Sequence, residues 1–254
     1  MISTVRATLI SDMKEVTGTT GEQWGSLAVP SVLAAAHELK APLALIRQLS
    51  YQLESAGAMN TQQKIVQQRL RLTSERALRL VENITRTSRL DDALFALEPL
   101  QVHAVLTDVL SEFTPLARGM DQDVVLHVPR NPLLVVAHRE LLPAVLMGLC
   151  DNALSHNPTG SSLRLSARKT KQAVVFSVRD HGPVIDKKIY ENLRSRLGVA
   201  PQPIGSRPAS SGLGLWIAGV FARAMNAELS ATRHHAGGMT FSLHVPVSSQ
   251  LSLL

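Results

Sequence analysis

The chain has 254 residues, 45% of them hydrophobic and 4% aromatic, with a formal net charge of +6 at pH 7. That length suits one large domain or two modest ones, with a core built mainly from Leu, Val, Ile and Ala. A single cysteine, Cys150, excludes an internal disulfide framework. It sits in the apolar run 145–150 and is expected as a buried structural thiol.

Residues 1–25 read as a tail or short helix, too short for a separate folded domain of usual size. They lack the layout of a secretion signal, and no run along the chain is apolar enough to span a bilayer, so a cytoplasmic protein is expected. Residues 26–56 predict one helix. Val32, Ala36, Leu39, Leu43, Ile46, Ser50 and Leu53 alternate spacings of four and three, which is a heptad seam. Gly57 suits the end of that helix, and Asn60 with Gln63 predicts a capping box at the start of a second. The second helix runs to about residue 92, with a seam of Val66, Leu70, Thr73, Ala77, Leu80, Ile84 and Thr87. Two long helices joined by a short turn pack antiparallel. Alone they bury their apolar stripes poorly, so pairing with a second copy into a four-helix bundle is expected.

Arg69, Arg71, Arg76, Arg79, Arg86 and Arg89 are spread along that second helix and read as a solvated face. No motif for reading nucleic acid accompanies them. Pro99 marks a boundary. Beyond it, helices are predicted over 102–116, 139–155, 187–197 and 213–225. Strands are predicted over 124–128, 133–137, 163–167, 174–178, 228–232 and 240–245. The stretch 198–211 is rich in Gly, Pro and Ser and reads as a loop. Helices with a mixed sheet imply a two-layer α/β sandwich. The overall expectation is an α+β chain: a tail (1–25), a helical hairpin (26–95) and a sandwich domain (96–254).

Four short words punctuate this layout. In His37-Glu38-Leu39-Lys40-Ala41-Pro42, His37 follows seam position Ala36 and faces solvent on the shoulder of the seam. An exposed, neutral imidazole is a competent nucleophile, and Glu38 beside it can accept a ring proton. Pro42 removes a backbone hydrogen bond and bends the helix there. In Asp151-Asn152-Ala153, an amide oxygen late in a helix suits a magnesium ion shared with phosphate. In Asp180-His181-Gly182, a carboxylate at a strand end can accept an adenine amine, with Gly182 letting the base approach. In Gly212-Leu213-Gly214-Leu215, glycines at a helix N-terminus free backbone N–H groups for phosphate. Each word alone has a plainer reading: a surface histidine, a helix-end asparagine, a common turn, or a close helix contact through small residues.

In this order and at these separations the words resemble a sensor histidine kinase of a two-component system, over about residues 27–250. His-Glu-Leu-Lys-x-Pro on a heptad helix is similar to the phosphoacceptor box of the dimerising class. The other three words are similar to the nucleotide site of the GHKL ATPase domain, and 234–241 to its closing Gly-Gly-Thr-x-Phe strand. The resemblance implies a homodimer through the hairpin and a protein kinase using ATP and Mg2+. It makes His37 the phosphorylated residue, with Glu38 beside it in catalysis. Asn152 becomes the metal ligand, and Asn152, Asp180, Gly182, Gly212, Leu213 and Gly214 the nucleotide-binding set. Stretch 198–210 resembles a lid over the triphosphate. The partner implied is the receiver domain of a response regulator; from the composition and motifs above, neither nucleic acid nor a membrane span is expected.

Gly148 stands where many relatives have a second asparagine. Val184 replaces the second glycine of the Asp-x-Gly-x-Gly word, after Pro183. Ser155 and His156 replace a cation and an aromatic. Ala41 replaces a Thr or Asn associated with phosphatase activity, so weak phosphatase activity is expected. These departures leave a second reading open: a degenerate kinase acting as a dimeric adaptor or phosphotransfer scaffold.

Overall fold

The computed structural model describes residues 36, 39–53, 60–87, 96–129, 131–199 and 213–247. Two helices lead, α1 over 39–53 and α2 over Thr61–Thr87. The capping box forms as expected: Gln63 N–H donates to Asn60 Oδ1 and Asn60 N–H to Gln63 Oε1, both at 2.9 Å. Two contacts make the helices antiparallel. Lys40, early in α1, pairs with Glu82, late in α2, at 3.3 Å. Gln67, early in α2, donates to the Ser50 carbonyl, late in α1, at 2.6 Å. The turn expected around Gly57 lies outside the described residues.

The seam on α2 is displaced by one position from the expected one. Gln67, Ser74, Leu78 and Val81 are buried, while Val66, Leu70 and Thr73 are exposed. On α1, Ser50 is buried but Leu39, Ile46, Leu49 and Leu53 are exposed. Within one chain α2 has a neighbour on two sides, α1 and the sandwich, and their packing selects the adjoining stripe. The first half of the expected seam, Val66, Leu70 and Thr73, is left uncovered, while Leu80 and Ile84 in its second half pack against the sandwich.

The rest of the chain runs β1 (Glu98–Gln101), α3 (Val102–Gly119), β2 (Asp123–His127), β3 (Leu134–Ala137), α4 (Leu141–His156), β4 (Ser162–Lys169), β5 (Ala173–Arg179), α5 (Lys187–Arg196), α6 (Leu213–Ala224), β6 (Glu228–Arg233) and β7 (Met239–Pro246). These follow the expected elements closely, with β1 as an addition. Pro99 lies inside this short strand rather than only ending a helix, and β1 pairs antiparallel with β3, Pro99 opposite Val136. Proline is tolerated there because the two-stranded ribbon leaves β1 an unpaired side.

The main sheet has the order β2-β4-β5-β7-β6, parallel between β2 and β4 and antiparallel elsewhere. Alternation fixes its two faces. Leu165 stands opposite Val178, Phe176 opposite Leu243, and Val178 opposite Phe241, all buried. The other face carries Ser166, Ser177, Ser242 and Ser230 in register across four strands. The apolar face is covered by α3, α4 and α6, whose Phe113, Leu146, Leu149 and Phe221 join the same core. Helix α2 lies against this sandwich. Leu72 enters the core, and a Cβ on Gly119 would sit 2.5 Å from Leu72 Cδ1, so the end of α3 meets α2 closely. Cys150 is buried as expected, and its burial pushes the thiol well above the ordinary range.

Candidate nucleotide site on helix α4

Helix α4 is the ruler of the site. Gly148, Asn152 and His156 are four residues apart and share one face, with successive levels about 6 Å apart along the axis. At the first level, a Cβ on Gly148 would lie 4.0 Å from the Gly214 carbonyl, which brings the first turn of α6 beside α4. At the last level, a Cβ on Gly182 would lie 2.7 Å from the His156 carbonyl, which brings the turn after β5 beside the end of α4. Asn152 stands between them. Three words separated by 62 positions of sequence, from 152 to 214, thus meet along one helix face.

Asn152 makes no side-chain hydrogen bond among the described residues, and its buried Nδ2 has no partner. A buried N–H donor left unpaired costs roughly 1–3 kcal/mol, and the Nδ2 group calls for an acceptor such as a phosphate oxygen. The donor set fits a hard cation shared with phosphate, because an amide oxygen is a neutral hard ligand.

Asp180 follows β5 and is 3% exposed. Its Oδ1 accepts the Gly182 N–H at 2.8 Å and the Met239 N–H at 3.2 Å. Oδ2 receives no hydrogen bond from a described residue and remains a free acceptor. The carboxylate is therefore oriented by two backbone donors and presents one oxygen outward. Glycines make this packing possible. Gly237 (φ +99°) and Gly238 (φ +76°) adopt the left-handed region. A Cβ on Gly237 would lie 2.8 Å from the Gly182 carbonyl, and one on Gly238 would overlap the Asp180 carbonyl.

A polar network behind Asp180 was not foreseen from the sequence. Asn157 Oδ1 accepts the His181 N–H at 2.7 Å, and Asn157 Nδ2 donates to Gln122 Oε1 at 3.0 Å. Gln122 Nε2 in turn donates to the Leu154 and Asn157 carbonyls. Both residues are buried. The Asn157-Pro158 pair after α4 is a readable turn signal, but Gln122 is too far along the chain for any local pattern to link them. Next to this network, His234 Nε2 lies 2.8 Å from Thr240 Oγ1. Burial, then the nearby Arg179 charge, push His234 below the ordinary histidine range.

Val184, which stands where the resemblance expects a glycine, is 61% exposed and has a negative φ. Its Cγ2 still lies 3.8 Å from where a Cβ on Gly237 would stand, beside the approach of Gly237 to Gly182. At the other end, Gly198 (φ +71°) lies against Gly219 of α6, where a Cβ on Gly198 would come within 2.8 Å of the Gly219 Cα. Arg223 Nη1 donates to the Gly198 carbonyl at 2.8 Å. Of the expected site residues, Asn152, Asp180, Gly182, Leu213 and Gly214 are described: Gly182 and Gly214 come beside Asn152 on α4, Asp180 holds the Gly182 N–H, and Leu213 opens α6. His37, Glu38, Gly212 and the lid stretch 200–210 lie outside the described residues.

A mixed sheet with three helices on one face, an unpaired carboxamide on α4 and a carboxylate with one free oxygen behind Gly182 make up an α/β sandwich with a polar site along α4. Residues 137–249 match the family described as histidine kinase-, DNA gyrase B-, and HSP90-like ATPase. Over most of its length the chain is homologous to sensor histidine kinases. It is 29% identical over 229 residues to the sensor protein SphS of Synechococcus elongatus, covering 85% of this chain and 54% of that protein. It is 28% identical over 220 residues to the probable sensor histidine kinase TcrY of Mycobacterium tuberculosis, covering 85% and 45%. The fold is shared with full-length ShkA solved in complex with AMPPNP, at a TM-score of 0.58 and 23% identity, covering 87% of this chain and 46% of that one. The chain thus spans about half the length of the curated relatives it matches. No helix among the described residues is long and apolar enough to cross a membrane.

Proposed function

We propose that this chain is the catalytic core of a two-component histidine kinase. It comprises a dimerising phosphoacceptor hairpin (26–95) and an ATP-binding domain (96–254). ATP is the substrate. Asp180 Oδ2 accepts the adenine amine, Gly182 lets the base approach, and the N–H groups at Gly212, Leu213 and Gly214 receive phosphate oxygens at the start of α6. The Asn152 amide oxygen would hold Mg2+, which when bound would neutralise phosphate charge. A ring nitrogen of His37 attacks the γ-phosphorus roughly in line. The N–P bond forms as the P–O bond to ADP breaks, and Glu38 receives the ring proton. The phosphoryl group then passes to an aspartate on the receiver domain of a response regulator, which docks on the hairpin.

The convergence of Asn152, Gly182 and Gly214 along one face of α4 supports this reading most directly. The exposed stripe of Leu39, Ile46, Leu49, Leu53, Val66 and Leu70 supports pairing with a second copy into a four-helix bundle. Incubation with γ-labelled ATP and Mg2+ is expected to give a phosphoprotein whose label is lost in acid, as phosphorus on nitrogen is. The His37→Gln variant is expected to lose all label while retaining nucleotide binding. Label that persists in that variant, or that survives acid, overturns the assignment. With Ala41 unable to position water, phosphorylated regulator mixed with the chain and ADP is expected to keep its phosphate.

A further inference from the structure

Helix α4 has a second working side. Asp151, beside Asn152, turns away from the nucleotide face and toward α2. Both of its carboxylate oxygens are held by Arg79 Nη2, at 3.2 and 3.3 Å, and its backbone carbonyl accepts Arg76 Nη2 at 3.0 Å. The pair is largely withdrawn from water, with side chains 19% and 14% exposed. Arg79 also lines a cavity of about 390 Å3 between hairpin and sandwich, together with Arg47, Tyr51, Glu75, Glu82 and Glu112. By contrast, Arg86 and Glu140, further along the same contact, lie 3.9 Å apart with both side chains exposed.

The two pairs have different weight. An exposed pair at 3.9 Å is screened and contributes little. A half-desolvated arginine with buried Nε unpartnered is costly unless its geometry does something for the molecule. Arg79 lies one turn before Glu82, the residue that pairs with Lys40 of the His-Glu-Leu-Lys word. The grip on Asp151 therefore falls beside the phosphoacceptor segment of the hairpin and beside the carboxamide of Asn152.

We propose that Arg79, aided by Arg76, is a positioning residue: through Asp151 it holds the nucleotide face of α4 in register with the hairpin for phosphoryl transfer. The proposal rests on the kinase reading above. Transfer between two bodies depends on their orientation, and small misplacements cost large factors in rate without weakening substrate binding. Arg79 touches neither nucleotide nor the reacting atoms.

The test measures autophosphorylation rate against ATP concentration in the intact chain. Arg79→Ala is expected to lower kcat about tenfold with KM for ATP unchanged. Asp151→Asn is expected to do the same, and the double variant to fall no further than either single one, because both remove one interaction. Arg79→Lys restores part of the rate, and Arg86→Ala leaves it unchanged. Direct binding of MgATP to each variant reports that the sandwich is folded. The proposal is overturned if Arg79→Ala retains the wild-type rate or exceeds it, or if KM rises in step with the loss. Absence of acid-labile label in the wild-type chain is a different failure: it removes the kinase reading, and this inference with it.

Discussion

The sandwich and the hairpin use the same apolar residue types to opposite ends. In the sandwich, Phe113, Phe176, Phe221 and Leu243 are fully enclosed by one chain. In the hairpin, α1 leaves Leu39, Leu45, Ile46, Leu49 and Leu53 in the open, and α2 leaves Ile65, Val66 and Leu70. A sheet with three helices on one face closes its own core, whereas two helices have too little mutual surface to cover two stripes. One region therefore closes its own core, and the other leaves an apolar face open, which is the face proposed above to pair with a second copy.

Changes that break this contrast fall in a definite order of size. Phe176→Ala empties the sandwich core and is expected to cost about 3–5 kcal/mol in urea unfolding. Leu70→Glu on the open face should leave that unfolding midpoint in place. It is expected to weaken self-association by about 2 kcal/mol or more, read by sedimentation equilibrium across a concentration series. A Leu70→Glu chain that associates as the wild type does would remove the hairpin from the interface.

Smaller changes sharpen the same contrast from each side. Asp180→Ala leaves the Gly182 and Met239 N–H groups without their acceptor, so a stability loss of about 1–3 kcal/mol is expected along with weakened ATP binding by calorimetry. Asn60→Ala removes the capping box from α2 at a cost of about 1 kcal/mol, seen as reduced helical circular dichroism on heating. The smallest effect belongs to His234. Its folded pKa is depressed, so its contribution to stability is present above the ordinary histidine range and lost as pH falls through it. His234→Gln is expected to show a smaller drop in melting temperature between pH 7.5 and pH 5 than the wild type.

Most elements of the sandwich were legible because their periodicity is local: Leu142, Val145, Leu146 and Leu149 recur at helical spacing, and Val174, Phe176 and Val178 alternate along a strand. Asn152, Asp180, Gly182 and Gly214 were legible as words, each bound to a recognisable turn or helix end. What stayed hidden depended on neighbours distant in sequence. The strand Glu98–Gln101 exists because Val136 and Ala137 pair with it. The seam on α2 shifted because the sandwich competes for one side of that helix. The Gln122–Asn157–His181 chain of hydrogen bonds joins three elements that no spacing rule connects. The approach of Gly237 to the Gly182 carbonyl, across more than fifty positions, is likewise set by tertiary packing.

The contact between Gly198 and Gly219 has a further consequence. Position 198 is pinned to α6 near its middle, and position 213 is the first residue of the same helix. The two described positions on either side of 200–212 are therefore both held at a single rod. For a segment tethered in this way, doubling the number of residues adds only about 0.6 kcal/mol of closure entropy. Insertions between 199 and 212 should be absorbed with little loss of melting temperature, whereas a methyl group at 198 or 219 would prise the tether from its anchor.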